Sequence, residues 1–321
     1  NEPIFDFSKK ADLKEKENAK MIHDIILYLN QHVKMQGLRD YTDQIVDAKK
    51  FLREFPEHIQ KFDHILVDEY QDINAMQIEL LKILNPPSLF AVGDPRQSIF
   101  GWRGSDIKYL LNFQKEYPGS EIISLTKNYR SNFHIVNLMN KSIRDLGLPD
   151  LEHMKFGKKE IELLGFSDEL EEFNFVIDKI LKSDLQREQI FVLARTNRQL
   201  MELSKIMLIK KINHIVKTDE INRSVEVKMG QVTLATIHAI KGLEASLVFL
   251  IGANEQNFPC KASDHPILEM IKIEEYDKEE EEKRLFYVAI SRAKEKLVIS
   301  YSGKKPTYFI NDEMKELIES P

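Results

Sequence analysis

His64-Ile65-Leu66-Val67-Asp68-Glu69-Tyr70-Gln71-Asp72 is the stretch on which the reading of this chain turns. Ile65, Leu66 and Val67 form a short aliphatic run of the kind that makes a buried strand. Asp68 and Glu69 then stand where that strand ends, at the carboxyl edge of a sheet, where α/β folds bind ligands. Two adjacent acids at such an edge suit phosphoryl transfer. One acid can hold Mg²⁺, usually through water, and its neighbour can orient a water for attack on a γ-phosphate. Strands also stop at acidic turn residues for no chemical reason, so the downstream sequence has to discriminate.

Four further segments do so. The first runs Phe90-Ala91-Val92-Gly93-Asp94-Pro95-Arg96-Gln97-Ser98-Ile99-Phe100-Gly101-Trp102-Arg103-Gly104, and the second Leu125-Thr126-Lys127-Asn128-Tyr129-Arg130-Ser131. Then come Thr233-Leu234-Ala235-Thr236-Ile237-His238-Ala239-Ile240-Lys241-Gly242-Leu243-Glu244 and Arg284-Leu285-Phe286-Tyr287-Val288-Ala289-Ile290-Ser291-Arg292-Ala293-Lys294. In this order the segments closely resemble the later motifs of the UvrD/Rep family of superfamily 1 DNA helicases. The resemblance extends from Gln60 to Tyr301.

What the resemblance implies is specific. The fold is expected to be α/β, with tandem RecA-like domains of the P-loop NTPase class and parallel sheets flanked by helices. The activity is expected to be that of an ATP-dependent, 3′-to-5′ DNA helicase or translocase on single-stranded DNA, in repair, recombination or replication, with ATP and Mg²⁺ as cofactors. Asp68 would contribute to the Mg²⁺ site, Glu69 would activate the hydrolytic water, and Gln97 would contact the γ-phosphate. Arg292 would be an arginine finger. Tyr129 would pack on adenine, Arg130 would reach phosphates, Gly242 would let the backbone approach a phosphate, and Glu244 would meet the ribose. Phe100, Trp102, Arg103, Thr236 and His238 would lie along the DNA.

Several of these residues also have plainer readings. Trp102 is the only tryptophan, and a lone tryptophan is commonly a packing anchor. Its flanking glycines and Arg103 favour a platform on which any base can stack. Arg130 and Arg292 could be ion-pair partners. His238 reads equally as a DNA-facing or a satisfied structural histidine.

One family element is absent from the sequence. No Gly-rich phosphate loop ending in Gly-Lys-Ser/Thr occurs; Gly157-Lys158-Lys159 and Gly303-Lys304-Lys305 lack both the partner glycine and the hydroxyl residue. The sequence therefore reads as the later portion of a helicase. The expected partners are a missing N-terminal segment, or a partner chain, carrying the Walker A loop, and an accessory repair protein. The alternative is a non-catalytic, helicase-like DNA- or protein-binding regulatory subunit. Residues 1–62 are expected to be a helical segment, a remnant of the helical insertion of domain 1. Residues 63–150 are expected to form a partial first RecA-like domain, and 151–321 a second one without its large helical insertion.

Composition sets the bounds. At 321 residues, 42% apolar and 31% charged, the chain can build a sizeable core and a charged surface. A formal net charge of −6 argues against a wholly basic nucleic-acid binder but allows a local basic groove. A single cysteine, Cys260, excludes an internal disulfide and a cysteine metal cluster. No apolar run has membrane-spanning length, so the cytoplasm is expected and no membrane partner.

Periodicity predicts helices between Leu13 and Phe62 and strands at Ile65–Val67, Leu89–Val92 and Ile122–Leu125. Further strands are predicted at Glu162–Phe166, Ile190–Ala194, His214–Lys217, Val232–Ala235, Leu247–Ile251 and Lys296–Tyr301. Helices are predicted at Glu169–Leu181, Arg198–Ile209, Leu268–Ile273 and Glu279–Arg292, giving an alternation that points to parallel sheets.

Overall fold

A computed structural model describes residues 12–218, 228–260 and 277–319. The chain divides into two compact units, Asn1–Ser120 with Ala262–Lys278, and Glu121–Lys261 with Glu279–Pro321.

The first unit begins with two amphipathic helices, each opened by a reciprocal capping box. In α1 (Leu13–Met35) Asp12 and Glu15 cap each other's backbone amides, and in α2 (Tyr41–Glu54) Asp40 and Asp43 do the same. The strands predicted at Ile65–Val67 and Leu89–Val92 form as β1 (Ile65–Val67) and β2 (Leu89–Ala91), which pair in parallel with Leu66 opposite Phe90. α3 (Ala75–Leu84) connects them. Lys49 and Arg53 of α2 both reach Glu79 of α3, at 2.7 and 3.0 Å. A small core gathers Tyr70, Ile73 and Ile78 against Val67, Ala91, Leu110 and Phe113. Side chains alternate across a strand, so Val67 faces this core while Leu66, 72% exposed, points outward beside Phe90, 58% exposed. Among the described residues this sheet has two strands.

The second unit is built on a six-stranded, all-parallel sheet. Its strands are β5 (Ile161–Phe166), β6 (Ile190–Ala194), β7 (His214–Lys217), β8 (Val232–Thr236), β9 (Ala245–Leu250) and β10 (Ala293–Ser302). The order is β5-β10-β9-β6-β8-β7. Every residue of β6 and β8 is buried, as expected where both faces of a parallel sheet are covered. Phe173, Val176, Ile177 and Ile180 of α7 (Glu169–Lys182) and Leu200, Leu203 and Met207 of α8 (Asn197–Ile209) pack on Val192, Leu234 and Phe249.

One buried carboxyl interrupts this core. Glu172 of α7 is fully buried and accepts from the Gly252 amide at 2.7 Å and from the Ser300 hydroxyl at 2.6 Å. Burial pushes its pKa up despite these bonds. Gly252 has φ +63°, and a Cβ there would lie 1.9 Å from the Gln199 amide, so no side chain fits.

The structure departs from the sequence expectations in three places. The unit boundary falls after Ser120 rather than at residue 150, because residues 121–150 pack with the second unit. The strand expected at Ile122–Leu125 is displaced to β3 (Lys127–Asn132), whose parallel partner β4 (Glu152–Lys155) starts its register at Lys127. Ser131 and Asn132 donate from their side chains to the carbonyls of Ala293 and Glu295, tying β3 to β10. Finally, the helix expected to reach Arg292 ends earlier, as α9 (Lys278–Ile290). The expected helix at Leu268–Ile273 lies outside the described residues, as do residues 219–227.

Candidate nucleotide and DNA sites

In the first unit, Asp68 and Glu69 emerge exposed at the carboxyl end of β1. The Glu69 amide donates to Asp68 Oδ1 at 2.9 Å. Glu69 itself is left-handed, φ 51° and ψ 41°, a conformation uncommon outside glycine. The residue that holds it is Gln71, buried beneath. The Gln71 amide nitrogen donates to Glu69 Oε2, and its Oε1 accepts from the Asp94 amide at 3.0 Å. Asp94 in turn accepts from Gln97 Nε2 at 2.9 Å. One chain of hydrogen bonds thus runs Glu69–Gln71–Asp94–Gln97. Gly93 makes it possible: a Cβ there would stand 2.7 Å from Gln71 Oε1. In the sequence nothing marks Gln71 except its place between Glu69 and Asp72.

The loop that carries Gln97 and Trp102 forms two short 3₁₀ turns, at Pro95–Gln97 and Gly101–Arg103. Trp102 is 53% exposed, and the Arg103 guanidinium lies 4.5 Å from its ring centre and 5.2 Å from that of Phe100. Such placement is a cation–π contact. Phe100 is only 7% exposed. The expectation that it faces DNA is corrected accordingly: it packs in the unit, and Trp102 carries the open aromatic surface.

In the second unit the expected nucleotide residues converge. Arg130, in β3, donates through Nε to Glu244 at 2.5 Å, and Lys294 approaches the other oxygen of Glu244 at 2.7 Å. Burial opposes ionisation of Glu244, but the bonds from Lys294 and Arg130 outweigh it and hold the carboxyl below its ordinary range. Gly242 has φ +87°, the left-handed backbone that the tight turn before Glu244 demands. Tyr129 is exposed. Ser291 stands between two arginines: its carbonyl accepts from Arg130 Nη1 at 3.3 Å, and its hydroxyl from Arg292 Nη2 at 2.8 Å.

Arg292 itself is 1% exposed. Its Nε donates to the Val288 carbonyl and its Nη1 to that of Leu243. The expected finger is therefore folded back, because basic side chains satisfy the carbonyls orphaned at a helix end. Thr236 is also buried, and its hydroxyl accepts from the Ala239 amide at 3.3 Å. Its side chain closes a turn and does not face the solvent, contrary to the expectation of a DNA contact. His238 is half-buried.

The residues present fit a nucleotide-borne Mg²⁺. Among the described residues no cluster of three or more His, Cys, Asp or Glu could cage a metal alone. Mg²⁺ commonly takes only one or two carboxylates, with waters and substrate phosphates as its other ligands. Asp68 could supply one such carboxylate, and the ion would neutralise phosphate charge. Among the described residues no helix is long and apolar enough to cross a membrane.

The chain is similar to known proteins over most of its length. The sequence profile described as UvrD/REP helicase N-terminal domain matches residues 5–118. That of the UvrD-like helicase C-terminal domain matches 123–228 and 208–304. The "Probable DNA helicase" of Mycoplasma pneumoniae is 30% identical over 283 residues, covering 82% of this chain and 49% of that protein. The ATP-dependent DNA helicase PcrA of Staphylococcus epidermidis is 35% identical over 172 residues, covering 50% and 24%. The chain thus spans half or less of the length of these relatives. The C-terminal domain of a possible DNA helicase from Lactobacillus plantarum WCFS1 aligns with a TM-score of 0.41 at 16% identity, covering 58% of this chain and 96% of that one.

Proposed function

Because the chain belongs to the UvrD/Rep family of DNA helicases, we propose that it is the motor portion of an ATP-dependent DNA helicase or translocase. It moves 3′ to 5′ on single-stranded DNA, in cytoplasmic repair, recombination or replication. The observation that carries this reading is the Glu69–Gln71–Asp94–Gln97 hydrogen-bond chain. It supports a role in which the residue that orients water and the residue that senses the γ-phosphate move as one. Asp68 holds Mg²⁺. In the second unit Arg130 and Arg292 serve the phosphates, Tyr129 the adenine, and Glu244 with the Gly242 turn the ribose. To reach a phosphate, Arg292 would have to exchange its bonds to the Val288 and Leu243 carbonyls. Trp102 and Arg103 supply the DNA contact in the first unit, and His238 a contact in the second.

The chain contains no Gly-Lys-Ser/Thr loop. A backbone cradle with a lysine is what holds β- and γ-phosphates in this class of site. Residues 1–321 alone therefore bind ATP weakly and hydrolyse it negligibly, and turnover requires a segment or partner chain that carries the loop. The test is DNA-stimulated ATP hydrolysis with and without that segment supplied in cis. Turnover that appears with the segment and vanishes in Glu69→Gln is the expected result. Strong hydrolysis by the isolated chain would sink the requirement. Tight DNA binding with no hydrolysis under either condition would favour the non-catalytic regulatory reading, which the missing loop makes a real competitor.

A further inference from the structure

His153-Met154-Lys155-Phe156-Gly157-Lys158-Lys159 has no place in the sites above, yet its chemistry is distinctive. Three lysines and no acid fall within seven residues of a chain whose net charge is −6. Phe156 is 85% exposed. An exposed phenylalanine of this degree, standing among ammonium groups, is poorly explained by packing.

The ring is held and presented by its surroundings. The His153 ring is edge-on to Phe133 at 4.6 Å between centres and to Phe156 at 5.0 Å. Beneath, the backbone is pressed against Asn132: a Cβ on Gly157 would lie 3.3 Å from Asn132 Cβ, and Asn132 Nδ2 bonds the Glu295 carbonyl at 2.9 Å. Lys155 donates to the Arg130 carbonyl at 3.4 Å, which steadies one flank. The bordering carboxylates are occupied elsewhere, Glu152 by the Thr126 hydroxyl at 2.8 Å and Glu160 by Lys296 at 2.6 Å. Among the described residues, neither Lys155 nor Lys158 has a carboxylate within ion-pair distance.

We propose that the Phe156 turn, with Lys155 and Lys158, is a second single-stranded nucleic-acid contact, located on the second unit and separate from Trp102. A flat aromatic face gains from stacking with any base, and ammonium groups on either side suit the phosphates that flank it. An apolar protein partner would want a wider patch than Phe156 and Met154 offer. The composition repeats that of Trp102 with Arg103, an exposed ring beside a cation. This inference rests on the DNA-binding reading above and adds a place and a chemistry to it.

The test uses the full chain and fluorescently labelled oligothymidylate, with binding followed by anisotropy. Phe156→Ala is expected to weaken binding about five- to 150-fold, the range found when a stacking aromatic is removed. Phe156→Trp should restore it. Replacing Lys155 and Lys158 together by alanine should reduce the slope of log affinity against log salt by about 1.4, for two phosphates released. Photocrosslinking of an oligonucleotide carrying 5-iododeoxyuridine should place adducts on the peptide containing Phe156. If Phe156→Ala disturbs folding, Phe156→Leu, which keeps apolar bulk without a stacking face, decides instead and should weaken binding equally. Unchanged affinity in both Phe156 variants, with Trp102→Ala weakened, would overturn this inference and leave the function standing. No binding of oligothymidylate by the unaltered chain would remove both.

Discussion

The side chain of Gln71 is fixed to that of Glu69: a buried amide donates to an exposed carboxylate and aims it. The same amide also receives the Asp94 backbone N–H at 3.0 Å. A single uncharged residue thereby sets the position of a charged one and the course of the loop beside it.

Gln71→Leu keeps the volume and removes both bonds, leaving the Asp94 amide without its side-chain acceptor. The expected loss of stability is about 1–3 kcal/mol, read as a lower urea midpoint. Gln71→Glu keeps the acceptor but sets a second carboxylate against Glu69. In the protein with its phosphate loop supplied, Gln71→Glu should therefore lower turnover more than it lowers nucleotide affinity.

Trp102→Ala should weaken oligothymidylate binding by about 1–3 kcal/mol with little dependence on base sequence. Because the ring is half-exposed, stability should change by less than about 1 kcal/mol. DNA should quench the fluorescence of this single tryptophan. An unaltered emission spectrum, together with a fall in melting temperature for the variant, would mark Trp102 as a packing residue.

Glu244 gives a pH dependence of one sign. Its folded pKa lies below the ordinary carboxylate value. Its contribution is thus present above that ordinary value and fades as pH falls through the depressed one. Glu244→Gln should destabilise the protein at neutral pH by under about 1 kcal/mol, since the pairs with Arg130 and Lys294 are partly exposed. The gap between variant and parent should close below roughly pH 4.

Glu172 gives the opposite sign. Its folded pKa is raised, chiefly by burial. The native state therefore keeps its proton longer than the unfolded chain does. The contribution of Glu172 is complete below the ordinary carboxylate value and is lost as pH rises through the raised one. Glu172→Gln cannot ionise, so its melting temperature should gain on the parent as pH rises above about 4.5. Parallel curves would show that Glu172 does not titrate in that window.

How far the sequence foretold these features depended on where the determining forces lie. β6 and β7 have the boundaries that the sequence predicts, Ile190–Ala194 and His214–Lys217, because local patterning is enough to define them. β3 was displaced because its position is set by a distant partner, β4, and by Ser131 and Asn132 reaching carbonyls more than 160 residues away. Asp68, Glu69 and Gln97 were legible as motif residues, and the structure gathers them in one unit. The burial of Phe100, the inward fold of Arg292 and the turn-closing bond of Thr236 were not legible, since each depends on tertiary neighbours. Gln71 was hidden for the same reason: its partner Asp94 lies 23 residues downstream.

The outward pair Leu66 and Phe90 has a practical corollary. Among the described residues no third strand pairs with β1 and β2, and the face that they present is apolar, which invites cross-chain pairing. Produced by itself, this polypeptide should be a sticky solute whose light scattering climbs with concentration. Exchanging Leu66 and Phe90 for threonine, which retains strand preference while removing grease, should give a better-behaved sample for every assay described above.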